Sequence, residues 1–457
     1  MEQLNAAQAK AAAFSRRHSL IIAGAGTGKT STLIAKTAGI ITDGCVEPCR
    51  VALLTFSKKA AEEMRERLRK RLDKHADSMF VGTYHAFCLK AVRLHEEVFK
   101  NVFGYMKFPS LLTSKQEMSI NEKFYNDYGK CLCGLPFDII PTLCENIYSG
   151  KISEYDLVKR AGEDLLIAVK HYSKFRSEEK RKIGAFEFDD LITWCNLLYK
   201  KNRDFRTWVA TRFDYLLVDE FQDTSRNNFL MINNMLSDGA TLCAVGDDYQ
   251  SIYGFRKASP GIMIGFKKYL KDFDRFMLTV NYRSTMEIVT VSNRLIRKNR
   301  NQIHKKMVSN MGSGGMVNLG FVSSFDDECR FIADIINHCD KKFSLAVLYR
   351  NNAYGNKVRE RLSDICFNDN VSFSTFHSSK GLEYDHVIIC GLHNSQVPSP
   401  LNCLEEERRL MYVAITRARL RLDVISFAGD RRPLFVDELG IKRQWSKFIP
   451  DYIIRDK

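Results

Sequence analysis

The stretch Ala23-Gly24-Ala25-Gly26-Thr27-Gly28-Lys29-Thr30 lies between the apolar run Leu20-Ile21-Ile22 and the helix-compatible Leu33-Ile34-Ala35. Strand, small-residue loop and helix in that order fit the phosphate-loop pattern, with Ala23 in place of its first glycine. Gly24, Gly26 and Gly28 let backbone N–H groups turn inward around a phosphate, and the following helix N-terminus adds partial positive charge. Lys29 would reach the β/γ-phosphates and the Thr30 hydroxyl would hold Mg²⁺. The bland alternative is a glycine-rich turn before an ordinary helix. Gly-Lys-Thr placed after a strand favours the nucleotide reading, with Mg²⁺ as the expected ion.

The rest of the chain is consistent with a large nucleotide-dependent protein. At 457 residues it is too long for one hydrophobic core, so two to four lobes are expected. A net charge of +15 suits a polyanionic partner, nucleic acid being the commonest, although charge alone would also fit a merely basic protein. Thirteen cysteines are scattered without a CxxC pair; Cys131, Cys133 and Cys144 come nearest to a cluster. Free thiols in a reducing compartment are expected rather than a metal centre. With neither a secretory leader at Met1-Glu2-Gln3-Leu4 nor a membrane-length apolar run, the expected location is cytoplasmic.

Other segments add chemistry in chain order. Gln8, on a helix expected to end near Ser15, could offer its amide to an adenine edge or be a plain surface residue. Val51 to Phe56 reads as a second buried strand, and Phe56 followed by Lys58 and Lys59 offers a ring and cations to a single strand. Thr83 and His85 follow a third strand and could bond phosphates. Residues 101–182 read as helical with no chemical motif. Tyr215-Leu216-Leu217-Val218 then delivers Asp219 and Glu220 at a strand end, one placed to hold Mg²⁺ and the other to polarise a water. Ala244 to Gln250 ends in a polar turn whose Gln250 could sense a γ-phosphate. Tyr253, Phe255 and Arg256 interleave rings with a cation, which suits base stacking but equally describes core aromatics. A second α/β unit begins near Phe276.

Eight ordered blocks, AGAGTGKT, LLTFSKKAAEEM, GTYHAF, LLVDEFQDT, VGDDYQSIYGFR, LTVNYRS, STFHSSKGLEYDHV and EEERRLMYVAITRAR, closely resemble the superfamily 1 helicases of the UvrD/Rep/PcrA type. They run from residue 4 to about residue 424. The resemblance implies an α/β fold of two RecA-like phosphate-loop domains, parallel sheets flanked by helices, with an inserted helical lobe. Residues 1–100 and 185–276 would form domain 1A, residues 101–184 the insertion 1B, and residues 277–457 domain 2A. It also implies roles. Gln8 and Tyr282 would hold adenine and Glu383 the ribose. Ala25, Gly26, Thr27, Gly28, Lys29, Thr30 and Ser31 would wrap the phosphates. Thr30 and Asp219 would bind Mg²⁺, and Glu220 would activate water. Gln250, Arg283 and Arg417 would meet the γ-phosphate, the two arginines as fingers from the second domain. Phe56, Lys58, Thr83, His85, Tyr253, Phe255, Arg256 and His377 would line the single-strand path.

Three departures from the family pattern stand out. Only Asn351 to Ser374 separates Leu348-Tyr349-Arg350 from Thr375-Phe376-His377, where full-length relatives insert the large 2B subdomain, so 2B is expected to be missing. Ser31 stands where relatives often have arginine, and Lys257 where glycine is usual. Because the sequence ends soon after the last block, no appended nuclease domain is expected there. The resulting expectation is a DNA-dependent ATP hydrolase that moves 3′→5′ along single-stranded DNA or a single/double-strand junction, in repair or replication, with no membrane partner. The alternative is a nucleic-acid-stimulated ATPase subunit of a larger repair or anti-phage defence complex with little unwinding alone. A phosphate-loop small-molecule kinase is a third class, disfavoured by the second arginine-bearing unit and the stacking aromatics.

Overall fold

The computed structural model describes residues 3–44, 46–128, 139–148, 154–363, 369–393, 397–399, 403–428, 433–442 and 444–445. Two six-stranded parallel sheets dominate it. The first comprises β1 (His18–Ala23), β2 (Val51–Thr55), β3 (Phe80–Thr83), β4 (Tyr215–Val218), β5 (Thr241–Gly246) and β6 (Phe273–Leu278). Their order across the sheet is β3-β2-β4-β5-β1-β6. The inner strands are apolar on both sides because helices cover both faces of the sheet. Leu20 and Ile22 face one core with Leu216, Val218 and Ala244, while Ile21 faces the other with Leu53, Leu217 and Val245.

The second sheet comprises β7 (Met316–Val322), β8 (Leu345–Tyr349), β9 (Val371–Thr375), β10 (Tyr384–Leu392), β11 (Ala418–Phe427) and β12 (Gln444–Trp445), in the order β9-β8-β10-β11-β7-β12. This is the same winding as the first sheet, strand for strand. The expected beginning of the second unit, near Phe276, falls inside β6: Met277 and Leu278 still pair with Ile22 and Ala23 of β1. Strand pairing therefore carries the first sheet two residues past the expected boundary at residue 276. The two units also share packing. Ala25, Tyr249 and Ile252 of the first are buried in one apolar cluster with Ile288, Leu295 and Tyr412 of the second.

The stretch expected to be helical contains the helices Ser114–Tyr128, Ile139–Tyr148, Glu154–Ala161 and Glu163–Lys182 among its described residues. Ile120, Phe124, Cys144, Leu157, Val169, Tyr172 and Phe175 form its separate core. Ser110–Leu111 pairs with Ala185–Phe186 where the chain enters and leaves it. Cys144 is buried, Cys131 and Cys133 lie outside the described residues, and no metal-holding cluster of His, Cys, Asp or Glu occurs among those described. Only residues 350–370 join the neighbouring strands β8 and β9, too few for a large subdomain, and among the described residues they form one helix, Asn352–Arg361. Among the described residues no helix is long and apolar enough to cross a membrane.

Candidate nucleotide and single-strand site

The phosphate loop leaves β1 and enters the helix Lys29–Thr42. Gly26 (φ 67°) and Gly28 (φ 72°) both adopt the left-handed backbone that side chains disfavour. A Cβ on Gly26 would lie 2.7 Å from Arg283 Cβ, so glycine there also admits the chain segment that docks on the loop. That segment grips the loop backbone: Tyr282 N–H donates to Gly26 O (2.8 Å) and Asn281 Nδ2 to Ala25 O (2.7 Å). Thr27 Oγ1 closes the turn on Gly24 O at 2.9 Å. Thr30 and Ser31 follow Lys29 in the first turn of the helix, both half-buried.

Lys29 Nζ lies 3.2 Å from Glu220 Oε1. Glu220 follows Asp219 at the end of β4 and has φ 49°, a left-handed conformation costing a non-glycine residue about 1–3 kcal/mol. Burial opposes ionisation of Glu220, but the Lys29 and Lys380 ammoniums outweigh it and hold the carboxyl well below the ordinary range. Asp219 shows the opposite balance: burial, then the neighbouring Glu220 charge, pushes its carboxyl up to about 7. Among the described residues its Oδ1 has no hydrogen-bond partner. A buried carboxylate with an orphaned oxygen beside a phosphate loop fits a hard divalent cation, which takes oxygen ligands from one or two carboxylates and from phosphates. The Gln250 side chain is oriented by Nε2 donating to Asp247 Oδ2 (2.6 Å).

The second unit meets this pocket with cations. Arg417 is buried and donates from Nε to Val413 O (2.9 Å), from Nη1 to Leu382 O (3.0 Å), and from Nη2 to Gln250 Oε1 (3.4 Å) and Thr416 Oγ1 (3.2 Å). None of these partners is a carboxylate. Burial, and then repulsion from Arg283, lowers its proton affinity to about 9. Arg283 donates from Nε to Glu383 Oε2 (2.7 Å) and from Nη1 to Thr416 O (3.2 Å). Glu383 and Arg417 stand immediately before β10 and β11. The second sheet thus presents the N-terminal ends of those strands to the cleft, whereas the first presents C-terminal ends.

At the base end, Asn5 and Gln8 form a reciprocal capping box on the helix Ala6–Ala12, which stops short of Ser15. Gln8 Nε2 donates to Thr27 O (3.0 Å), and Asn5 Nδ2 donates to the hydroxyl of the exposed Tyr282 (2.6 Å). One amide proton of Gln8 is therefore committed to the loop, and Tyr282 stands at its edge. The expected strand-path rings form a continuous series. Phe56 stacks on Tyr253 (centroids 5.5 Å, planes at 6°), Tyr253 meets Phe255 edge-on (5.7 Å), and Phe255 meets His377 edge-on (5.6 Å). The first three belong to the first unit and His377 to the second. Lys58 is exposed near Glu62, and Thr83 Oγ1 accepts from Ala86 N (3.2 Å), capping the helix Tyr84–Leu94 that carries His85. The Arg256 side chain lies outside the described residues.

Two features escape a reading of the sequence. Lys380 lies within a quoted block but reads as a loop cation; its side chain is nearly buried among Asp223, Glu220 and Tyr253. Phe188, exposed and edge-on to His85 (5.9 Å), adds a ring beside Asp189, which holds Lys257 at 2.6 Å. The His85 contact and Lys257 keep the Asp189 carboxyl well below its usual range. Lys257 has φ 64°, which explains why glycine would sit there comfortably.

Two parallel sheets of identical winding, with a phosphate loop on one and arginines from the other packed against it, define a two-unit phosphate-loop protein. Comparison with known families is specific. The UvrD/REP helicase N-terminal domain model matches residues 4–271, and the UvrD-like helicase C-terminal domain model matches residues 276–368 and 363–429. The chain belongs to the UvrD/REP helicase family. It is 29% identical over 404 residues to the ATP-dependent DNA helicase PcrA of Leuconostoc citreum, covering 87% of this chain and 53% of that protein. A probable DNA helicase II homolog of Mycoplasma capricolum is 30% identical over 368 residues (75% of this chain, 48% of that protein). PcrA of Staphylococcus aureus is 28% identical over 366 residues (79% and 49%). The chain spans about half the length of the curated relatives it matches.

Proposed function

We propose that this protein hydrolyses ATP between its two α/β units and uses the cycle to move 3′→5′ along single-stranded DNA. The observation that carries the reading is Arg417: a buried guanidinium with no carboxylate hydrogen-bonded to it among the described residues, repelled by Arg283, hydrogen-bonded to Gln250 across the unit boundary. Such a charge is stabilised by an anion, and the anion a phosphate loop supplies is a γ-phosphate. In this reading residues 1–100 and 185–278 act as one motor domain, residues 279–457 as the second and residues 101–184 as an inserted lobe, divisions supported by the strand pairing.

Lys29 and the loop N–H groups neutralise the β- and γ-phosphates. Glu220, kept ionised by its lysines, takes a proton from the attacking water, and Gln250 orients that water or the γ-phosphate. Arg283 and Arg417 stabilise charge that develops on the transferred phosphoryl group. Thr30 and Asp219 are the residues that would hold Mg²⁺, which supplies further phosphate neutralisation when bound. Tyr282 stacks on the adenine, Gln8 bonds its edge, and Glu383 takes the ribose after Arg283 turns to the phosphate. The γ-phosphate favours the closed arrangement of the two units, and its loss removes that preference. Because Phe56, Tyr253 and Phe255 ride on one unit and His377 on the other, each cycle shifts one grip on the strand against the other.

The direct connection of β8 and β9 favours a second reading for duplex work. Without 2B, a lone molecule walks on single strands but unwinds weakly, and acts as a stimulated ATPase within a repair, replication or defence assembly. The test is steady-state ATP hydrolysis with and without oligo-dT, followed by strand displacement. Strong stimulation with weak displacement supports translocation; ATP turnover indifferent to any nucleic acid refutes both readings.

A further inference from the structure

Outside the residues assigned above, Lys380 bridges the two units. It lies in the second unit between β9 and β10, yet its contacts are made to the first. Its Nζ forms an ion pair with Asp223, lies 3.5 Å from Glu220 Oε2, donates to Gln250 O at 3.1 Å, and sits 4.7 Å from the Tyr253 ring centroid. One side chain therefore touches the carboxylate that faces the nucleotide, the backbone of Gln250, and a ring of the proposed strand path. With its side chain only 9% exposed, the ammonium has little water to fall back on, so its position is set by these partners.

We propose that Lys380 is a positioning residue that transmits strand occupancy at Tyr253 to Glu220; the inference rests on the function proposed above. A cation over an aromatic face is held by the ring's negative face, an attraction that changes when a base stacks on or displaces that ring. The ammonium is shared with two carboxylates, so a shift toward or away from the ring alters how firmly Glu220 is held and aimed. Asp223 anchors the lysine while this happens. The strand thereby acts on turnover through a contact it does not itself make.

The test compares the wild type with Lys380→Met, Lys380→Arg, Tyr253→Phe, Tyr253→Leu and the Lys380→Met/Tyr253→Leu double variant. For each, kcat at saturating ATP is measured with and without saturating oligo-dT, together with KM for ATP and the oligo-dT Kd. The ratio of stimulated to unstimulated kcat is expected to fall at least tenfold in Lys380→Met, with KM changed less than threefold, and to be largely restored in Lys380→Arg. Tyr253→Phe keeps the ring and the ratio; Tyr253→Leu loses the ratio, and the double variant loses no more than either single one. A wild-type ratio in Lys380→Met, or losses that multiply in the double variant, overturns the proposal. If Lys380→Met does not fold, equal ratios in Tyr253→Phe and Tyr253→Leu overturn it instead. A wild type without any stimulation defeats the proposed function, a different and distinguishable failure.

Discussion

Replacing Arg417 with methionine separates stability from turnover. Keeping this guanidinium charged at neutral pH, when its proton affinity has dropped from 12.5 to about 9, costs on the order of 5 kcal/mol. Methionine fills much of the same volume without a charge. The change leaves Leu382 O without its donor, a penalty of about 1–3 kcal/mol, while Val413 O keeps the Thr416 hydroxyl at 3.1 Å. The balance favours the variant, so without nucleotide Arg417→Met should be as stable as the wild type or more stable by about 2 kcal/mol, as found when buried charges give way to apolar side chains. Hydrolysis should nevertheless drop by about 10³ or more, the worth of an arginine finger. Urea unfolding of the nucleotide-free protein and oligo-dT-stimulated ATPase assays measure the two effects. Preserved turnover, or destabilisation beyond about 2 kcal/mol, would refute the reasoning, because Arg417 would then be an ordinary structural arginine.

Lys29→Ala should abolish ATP hydrolysis while leaving oligo-dT binding within about twofold in a fluorescence titration; lost strand binding would contradict a purely nucleotide-facing lysine. Lys305, buried between Asp247 (2.9 Å) and Asp248 and 3.3 Å from the Tyr249 ring centroid, pins the second unit to the turn before Gln250. Lys305→Met should therefore cost about 3–5 kcal/mol in urea, the penalty for leaving buried carboxylates unpaired. Burial raises Glu328, in the second unit's core, to about 7. The folded chain thus holds a proton that the unfolded chain releases above about 4.5, so this stabilisation is complete below that pH and is lost as pH rises through about 7, by roughly 3 kcal/mol. Glu328→Gln should flatten the urea midpoint over that window, and an unchanged slope would contradict the assignment.

The sequence was most legible where chemistry demands particular residue types at strand ends. AGAGTGKT after β1 and Asp219-Glu220 after β4 announce themselves because a phosphate-wrapping loop and a carboxylate pair need small residues and acids at those points. The join between the units was less legible. Asp272-Phe273-Asp274-Arg275-Phe276-Met277-Leu278 has no glycine or proline to mark an end, and only pairing with β1 shows the strand continuing to Leu278. Lys380 was not legible at all as a buried group. Next to Gly381 it reads as a solvated loop cation, and its burial depends on Glu220, Asp223 and Tyr253, more than a hundred residues earlier. Lys257 was visible as a departure from glycine, but the reason glycine suits the position, a left-handed backbone, is a three-dimensional fact.

If two units closing on one triphosphate drive a strand past Phe56, Tyr253, Phe255 and His377, movement must be directional and must require both units. The most direct measurement is ATP-dependent displacement of streptavidin from single strands biotinylated at either end. Rapid displacement from the 5′ end alone, abolished by Arg417→Met, is the predicted result. ATP consumption with displacement from neither end, or equally from both, would contradict it.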